Sequence, residues 1–153
     1  NIVSELCSFA KEQKPVIVHM RIGDYEGNED LGVLPMDYYE QALNHLSEHV
    51  PNFEKTPIWL FSDSPEKAID KFPSKYMHQM ILIRKGDMTS AETLEVMRLG
   101  KNFVISNSTF SWWAAFLSDA SDKLVVFPNP WFRRIPYSEK LIPKEWVPIM
   151  SGF

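Results

Sequence analysis

The stretch Val16-Ile17-Val18-His19-Met20-Arg21-Ile22-Gly23-Asp24-Tyr25 decides the fold. Three β-branched apolar residues lead directly into histidine, arginine, glycine and aspartate. A buried parallel strand has this form: helices hide both its faces, while its carboxyl end emerges at the sheet edge. Side chains alternate along a strand, so His19 and Arg21 share one face and Met20 takes the other. Gly23 permits a turn or a close approach of backbone to a ligand. Asp24 places a carboxylate beside the Arg21 guanidinium. A fixed cation next to a flexible backbone suits an anionic group such as a phosphate.

Outward from this stretch, the chain alternates between helical and extended patterns. Residues 2–12 read as a short helix, and Pro15 opens the strand 16–19. A loop runs to Leu34. Pro35 precedes a helix over about 36–50, with Tyr39, Ala42, Leu43, Leu46 and Val50 at helical spacing. Pro51 stops it. Pro57 opens a second strand, 58–61. Ser64-Pro65-Glu66 is a helix start, with Ser64 as N-cap and proline at the first helical position. A third strand covers 81–83, with Met80 as an alternative start, and is expected to be buried like the others. Thr89-Ser90-Ala91-Glu92 is a capping box for a helix to about Leu99, closed by Gly100. Residues 103–105 form a fourth strand, 109–117 a fifth helix and 124–127 a fifth strand. The fifth helix carries Trp112, Trp113 and Phe116 and is apolar nearly all round, which predicts burial. After the fifth strand, Pro128, Pro130, Pro136, Pro143 and Pro148 read as an irregular tail around one short helix. The fold class is therefore α/β: a Rossmann-like, mainly parallel sheet of about five strands with helices on both faces.

Composition bounds what this domain does. Its 153 residues suffice for one domain with a sizeable core. The net charge of −4, without a lysine- or arginine-rich run, argues against a general nucleic-acid surface. No apolar stretch approaches the ~18 residues that span a bilayer. The single cysteine, Cys7, forms no intrachain disulfide and reads as a small buried hydrophobe. One cysteine and four scattered histidines give no zinc-ligand spacing.

Three loops at strand carboxyl ends hold most of the chemistry, at the edge where open α/β sheets bind ligands. They are His19 to Asp24, Phe61-Ser62-Asp63-Ser64-Pro65, and Ile105-Ser106-Asn107-Ser108-Thr109-Phe110-Ser111. The third puts hydroxyls and an amide where a strand gives way to a helix, whose exposed N–H groups attract anions. Each loop also has a plainer reading. His19 could be a packed histidine, Arg21 with Asp24 a structural ion pair, and the serines of both later loops helix caps. Neither G-x-G-x-x-G nor G-x-x-x-x-G-K-[ST] is present, so a phosphate site here would use arginine and a helix end.

Taken in order, these loops resemble a known family. His19-Met20-Arg21-Ile22-Gly23-Asp24-Tyr25 resembles the H-x-R-x-G-D-Y motif of the α-1,2-fucosyltransferases, glycosyltransferase family 11. Phe61-Ser62-Asp63-Ser64-Pro65 is similar to its F-S-D-x-x segment. The run from Ile105 to Ala115 is very similar to its I-S-N-S-T-F-S-W-W-A-A segment and is the most specific match. Met36-Asp37-Tyr38-Tyr39 and Pro128-Asn129-Pro130-Trp131 fit the same pattern. The resemblance covers the chain from about Pro15 to Pro148. The family often carries two consecutive arginines in its first motif; here the second is Ile22, which is expected to weaken phosphate affinity mildly. Family members also have a further amino-terminal half, so this chain resembles the carboxyl-terminal donor domain of a two-domain enzyme of GT-B-like architecture.

The resemblance implies transfer of L-fucose from GDP-β-L-fucose to a glycan acceptor, usually a galactose 2-hydroxyl, with inversion. It implies no cofactor and no metal, and the sequence has no D-x-D pair. Arg21 would then neutralise the departing diphosphate. His19 and Gly23 would help bind the donor, Ser108, Thr109 and the helix end would complete a phosphate cradle, and Asp63 beside Ser62 would accept from guanine. Asn107 and Ser111 would support the site. Asp24 and Glu26 are the general-base candidates; the base could instead lie on the other half, or there could be none if the transition state is strongly dissociative. The expected partners are GDP-fucose, the acceptor and the amino-terminal half of the same polypeptide, with no nucleic acid. In a bacterium the expected compartment is the cytoplasm or the cytoplasmic face of a membrane, with no anchor visible in the sequence. Three other readings compete: a GDP-sugar-binding module inactive alone, a transferase using another GDP-sugar such as GDP-mannose, and a purely structural domain.

Overall fold

A computed structural model describes residues 1–153. Five helices and six strands make a three-layer α/β unit. The helices are α1 (Ile2–Gln13), α2 (Met36–His49), α3 (Pro65–Lys71), α4 (Ser90–Met97) and α5 (Thr109–Leu117). The strands are β1 (Val16–Met20), β2 (Ile58–Ser62), β3 (Met80–Leu82), β4 (Asn102–Val104), β5 (Val125–Asn129) and β6 (Val147–Met150). They form one sheet in the order β3-β2-β1-β4-β5-β6, with every pair parallel. This is the doubly wound order, and it reverses between β1 and β4. At that reversal the crossovers leave the sheet to opposite faces and open a crevice at the strand carboxyl ends.

Alternation along β1 divides the core. Val16, Val18 and Met20 pack under Tyr38, Tyr39, Ala42, Leu43 and Leu46 of α2 and Ala68 of α3. Ile17 turns to the other layer, with Ala10 of α1, Val96 and Met97 of α4, and Ala114 and Ala115 of α5. Two tyrosines of α2 reach through to the site edge. Tyr38 donates its hydroxyl proton to the Ile105 carbonyl at 2.7 Å, and Tyr39 donates to the His19 carbonyl at 3.4 Å. Helix α2 thereby grips the ends of the two strands flanking the crevice. The capping box of α4 is present in full: Glu92 N–H donates to Thr89 Oγ1 at 3.1 Å, and Thr89 N–H to Glu92 Oε1 at 2.9 Å.

The structure corrects four expectations. The sheet has six strands, not about five, because part of the proline-rich tail is β6. Its Pro148 lacks an N–H, but β6 is an edge strand paired only with β5, where proline is tolerated. β3 is the opposite edge and is not buried; Ile81 is exposed. Helix α5 is not buried all round: Trp113 is 48% and Phe116 49% exposed, while Ala114 and Ala115 meet the sheet. Small residues let the helix approach closely, and its large aromatics face outward. Ser64 stands at the start of α3 without a side-chain cap bond; Ser62 Oγ instead accepts from the Ser64 N–H at 3.0 Å. No helix is long and apolar enough to cross a membrane.

Candidate functional site

Elements from both sides of the sheet edge enclose a cleft of about 150 Å³. The end of β1 gives it His19 and Arg21; the end of β2 gives Phe61, Ser62 and Asp63; α5 gives Phe110. The turn after β3 adds Ile83 and Lys85, and α4 adds Ser90 and Thr93. Four of the expected donor residues (His19, Arg21, Ser62 and Asp63) thus lie around one space, although the chain separates them widely.

Arg21 is held from two sides. Its Nε and Nη2 donate to the two oxygens of Asp24 at 3.0 and 3.1 Å, a bidentate pair, and Nε lies 3.5 Å from Asp63 Oδ2. The guanidinium also lies over the Tyr25 ring, 5.2 Å from its centroid. The bonded Asp24 carboxylate raises the Arg21 pKa, and Arg21 in turn draws the Asp24 pKa below the usual carboxylate range. A carboxylate held this way is a weak base. Glu26, the other general-base candidate, is engaged by Lys67, and neither acid lines the cleft.

Asp63 also fixes the backbone. Its Oδ1 accepts the Ile22 N–H at 2.9 Å, tying the first loop to the second. Gly23 makes that approach possible: a Cβ there would sit 2.5 Å from Asp63 Oδ2. Ile22 itself is buried in the core beneath α2, away from the cleft that Arg21 lines.

His19 is 4% exposed, and its Nδ1 lies 2.9 Å from Ser106 Oγ across the crevice between β1 and β4. Burial, assisted by the Arg21 charge, pushes its pKa down to about 3. The ring is therefore neutral at physiological pH and offers a hydrogen bond, not a charge.

The third loop behaves differently. Ser111 Oγ lies 3.3 Å from Ser106 Oγ, accepts the Ser106 N–H and donates to the Ser108 carbonyl. Asn107 Nδ2 donates to the Leu31 and Gly32 carbonyls at 3.3 and 3.0 Å, and its own carbonyl accepts the Tyr25 hydroxyl proton at 3.1 Å. Ser108 Oγ accepts the Phe110 N–H as the cap of α5. None of Asn107, Ser108, Thr109 and Ser111 lines the cleft. Thr109 lines a separate aromatic cavity of about 270 Å³ with Trp112, Trp113, Trp131 and Tyr137.

The sequence profile of Glycosyl transferase family 11 matches residues 4–150. The chain belongs to glycosyl transferase family 11. Two curated relatives agree. One, from Escherichia coli, is named O-antigen biosynthesis glycosyltransferase WbnK; it is 37% identical over 134 residues, covering 85% of this chain and 43% of the relative. The other, an alpha-1,2-colitosyltransferase also from Escherichia coli, is 31% identical over 156 aligned positions, covering 95% of this chain and 51% of the relative. The chain spans about half the length of these relatives. As a family 11 glycosyltransferase sequence, it carries the Rossmann-like α/β architecture expected from its motifs. Sequence reading missed Lys85, Ser90, Thr93 and Phe110 as cleft residues. Phe110 and Ser90 were within view, since each lies inside a motif already singled out at a helix start. Lys85 gave no signal beyond an ordinary charged turn.

Proposed function

We propose that this chain forms the donor-binding part of an inverting glycosyltransferase that moves L-fucose from GDP-β-L-fucose to a glycan hydroxyl, galactose 2-OH being the expected acceptor. The observation that carries the reading is the cleft at the carboxyl edge of the doubly wound sheet, which joins His19, Arg21, Ser62 and Asp63 in a family 11 chain. As the fucosyl–oxygen bond breaks, negative charge grows on the leaving diphosphate. Arg21 supports it by exchanging the Asp24 carboxylate for phosphate oxygens, at little cost in geometry because the fork suits both anions. Neutral His19 donates or accepts a hydrogen bond to the donor. Asp63, fixed by Ile22 N–H, keeps the arginine loop in place; its second oxygen, now beside Arg21 Nε, would accept from guanine once Arg21 turns to the phosphates.

At about 150 Å³ the cleft is smaller than the ~300–1,000 Å³ of pockets that enclose a whole small ligand. This supports the view that a second domain closes over the donor and orients the acceptor, in a two-domain enzyme of GT-B-like form. The general base then belongs to that second domain or to the acceptor's surroundings, since the local carboxylates Asp24, Glu26 and Asp63 all lie against cations. A second reading, a different GDP-sugar as donor, is favoured by the relative named a colitosyltransferase. Calorimetric titration with GDP, followed by competition between GDP-fucose and GDP-mannose and a transfer assay on the full-length protein, tests both. Absence of GDP binding by the full-length protein would refute the reading. Tighter competition by another GDP-sugar, with transfer of that sugar, would replace fucose by it.

A further inference from the structure

Every cation expected to meet the donor phosphates is already neutralised within the chain. Arg21 is bonded by Asp24 and approached by Asp63, two carboxylates against one guanidinium. His19 is neutral. The cleft contains one more cation, Lys85, on the turn between β3 and α4.

Lys85 is exposed and takes part in none of the molecule's ion pairs. Its neighbour Arg84 contrasts with it: the Arg84 guanidinium turns to Glu66 of α3 at 2.8 Å, away from the space that Lys85 lines. The backbone beneath Lys85 is fixed on both sides. Ile83 N–H donates to the Leu60 carbonyl at 2.9 Å, and both Ile83 and Met88 are buried in the core beneath α4 and α5. Met88 N–H closes the turn on the Lys85 carbonyl at 3.0 Å, with Gly86 at a φ of 53° that favours glycine. The capping box of Thr89 and Glu92 then locks the start of α4. A flexible ammonium thus stands on a rigid base, on a cleft that Ser90 and Thr93 also line and whose one carboxylate, Asp63, lies against Arg21 and not Lys85.

We propose that Lys85 is a donor-phosphate ligand of this site, supplying the unpaired positive charge that meets the nucleotide diphosphate before Arg21 is released from Asp24. The inference rests on the GDP-sugar reading above and adds a residue to it. A point charge on a long stem suits a first encounter, and the arginine fork suits the final bidentate grip.

The test uses the full-length protein and four titrations: wild type, Lys85→Ala, Lys85→Arg and Arg84→Ala, each with GDP and with guanosine. Arg84→Ala removes the same charge from the adjacent position and controls for long-range electrostatics. Lys85→Ala should weaken GDP about tenfold, the scale of one charge-assisted hydrogen bond, and leave guanosine within about twofold. Lys85→Arg should restore most of the loss, and Arg84→Ala should change GDP affinity by less than about threefold. Raising the salt should narrow the gap between wild type and Lys85→Ala, because an exposed cation is screened. Unchanged GDP affinity in Lys85→Ala, in a wild type that does bind GDP, would overturn the assignment and leave the GDP-sugar reading intact. Equal losses for GDP and guanosine would place Lys85 at the base or ribose and also overturn it. A wild type that binds neither ligand would instead refute the GDP-sugar reading.

Discussion

The first and third loops at the carboxyl edge of the sheet are both polar, but their polar groups have different fates. In the third loop, the Ser106 and Ser111 hydroxyls pair with each other, Asn107 holds the Leu31–Gly32 turn, and Ser108 caps α5. All four residues are buried. In the first loop, Arg21 is about 30% exposed, Asp24 is largely so, and both face solvent or the cleft. These four polar side chains of the most family-specific stretch are thus buried and bonded within the protein, whereas Arg21 of the first stretch lines the cleft, where the proposed function puts the donor. A motif's distinctiveness measures how many constraints act on it. Internal hydrogen bonding imposes as many as a ligand does.

This contrast can be broken most directly at Arg21. In the full-length enzyme, Arg21→Ala should lower transfer by about a hundred- to a thousandfold, or 2.7–4 kcal/mol of transition-state stabilisation, by analogy with loss of one oxyanion donor. Its unfolding midpoint should barely move. Arg21→Lys should rescue little, since lysine lacks the planar fork. Steady-state kinetics beside denaturant melts would show it; a large loss of stability with intact turnover would reverse the roles of the two loops.

His19 bridges the loops and gives the next effect. In the unfolded chain it takes up a proton near pH 6.5, whereas in the folded protein it stays neutral down to about pH 3. The unfolded state thus binds the extra proton in that window, and stability falls as pH drops below 6.5. The slope is at most about 1.4 kcal/mol per pH unit, or close to 3 kcal/mol by pH 4.5. His19→Asn, which keeps a hydrogen-bonding group near Ser106, should flatten that part of the curve in urea melts taken from pH 7 to 4.5.

In the third loop, Asn107→Ala should destabilise the fold by about 2–3 kcal/mol by leaving buried carbonyls without donors. Any loss of GDP binding should disappear when titrations are run well below the melting temperature. Selective loss of GDP affinity in a fully folded variant would move Asn107 into the ligand's reach. The smallest effect belongs to the outward face of α5. A fully buried tryptophan would cost about 3–5 kcal/mol on truncation. With Trp113 about half exposed, Trp113→Ala should cost about half that. Its GDP titration should match wild type.

The features legible in the sequence were those set by neighbours in the chain. β1 announced itself by an apolar run that ends in charge, and the α4 cap by Thr89 and Glu92, whose partners are three residues apart. The features that escaped depend on distant partners. Pro148 argues against a strand until β6 is known to lie at an edge. The aromatics of α5 look like core until Ala114 and Ala115 are seen to make the sheet contact. Lys85 looks like a solvated charge until Arg84 is seen turning to Glu66. Ser108 and Thr109 sit at a helix start, as anion sites do, but the loop bends so that Phe110, not their hydroxyls, meets the cleft.

Gly23 and Asp63 have a consequence for descent. A side chain at position 23 would collide with the carboxylate at 63, and a shorter residue at 63 would abandon the Ile22 N–H and one of the two anions beside Arg21. A change at either position disturbs the contact between them, so the two positions are coupled. Among descendants of this chain, the two columns, 40 residues apart in the sequence, should change together or not at all. That makes the pair an epistatic lock on the arginine loop, inherited as one character.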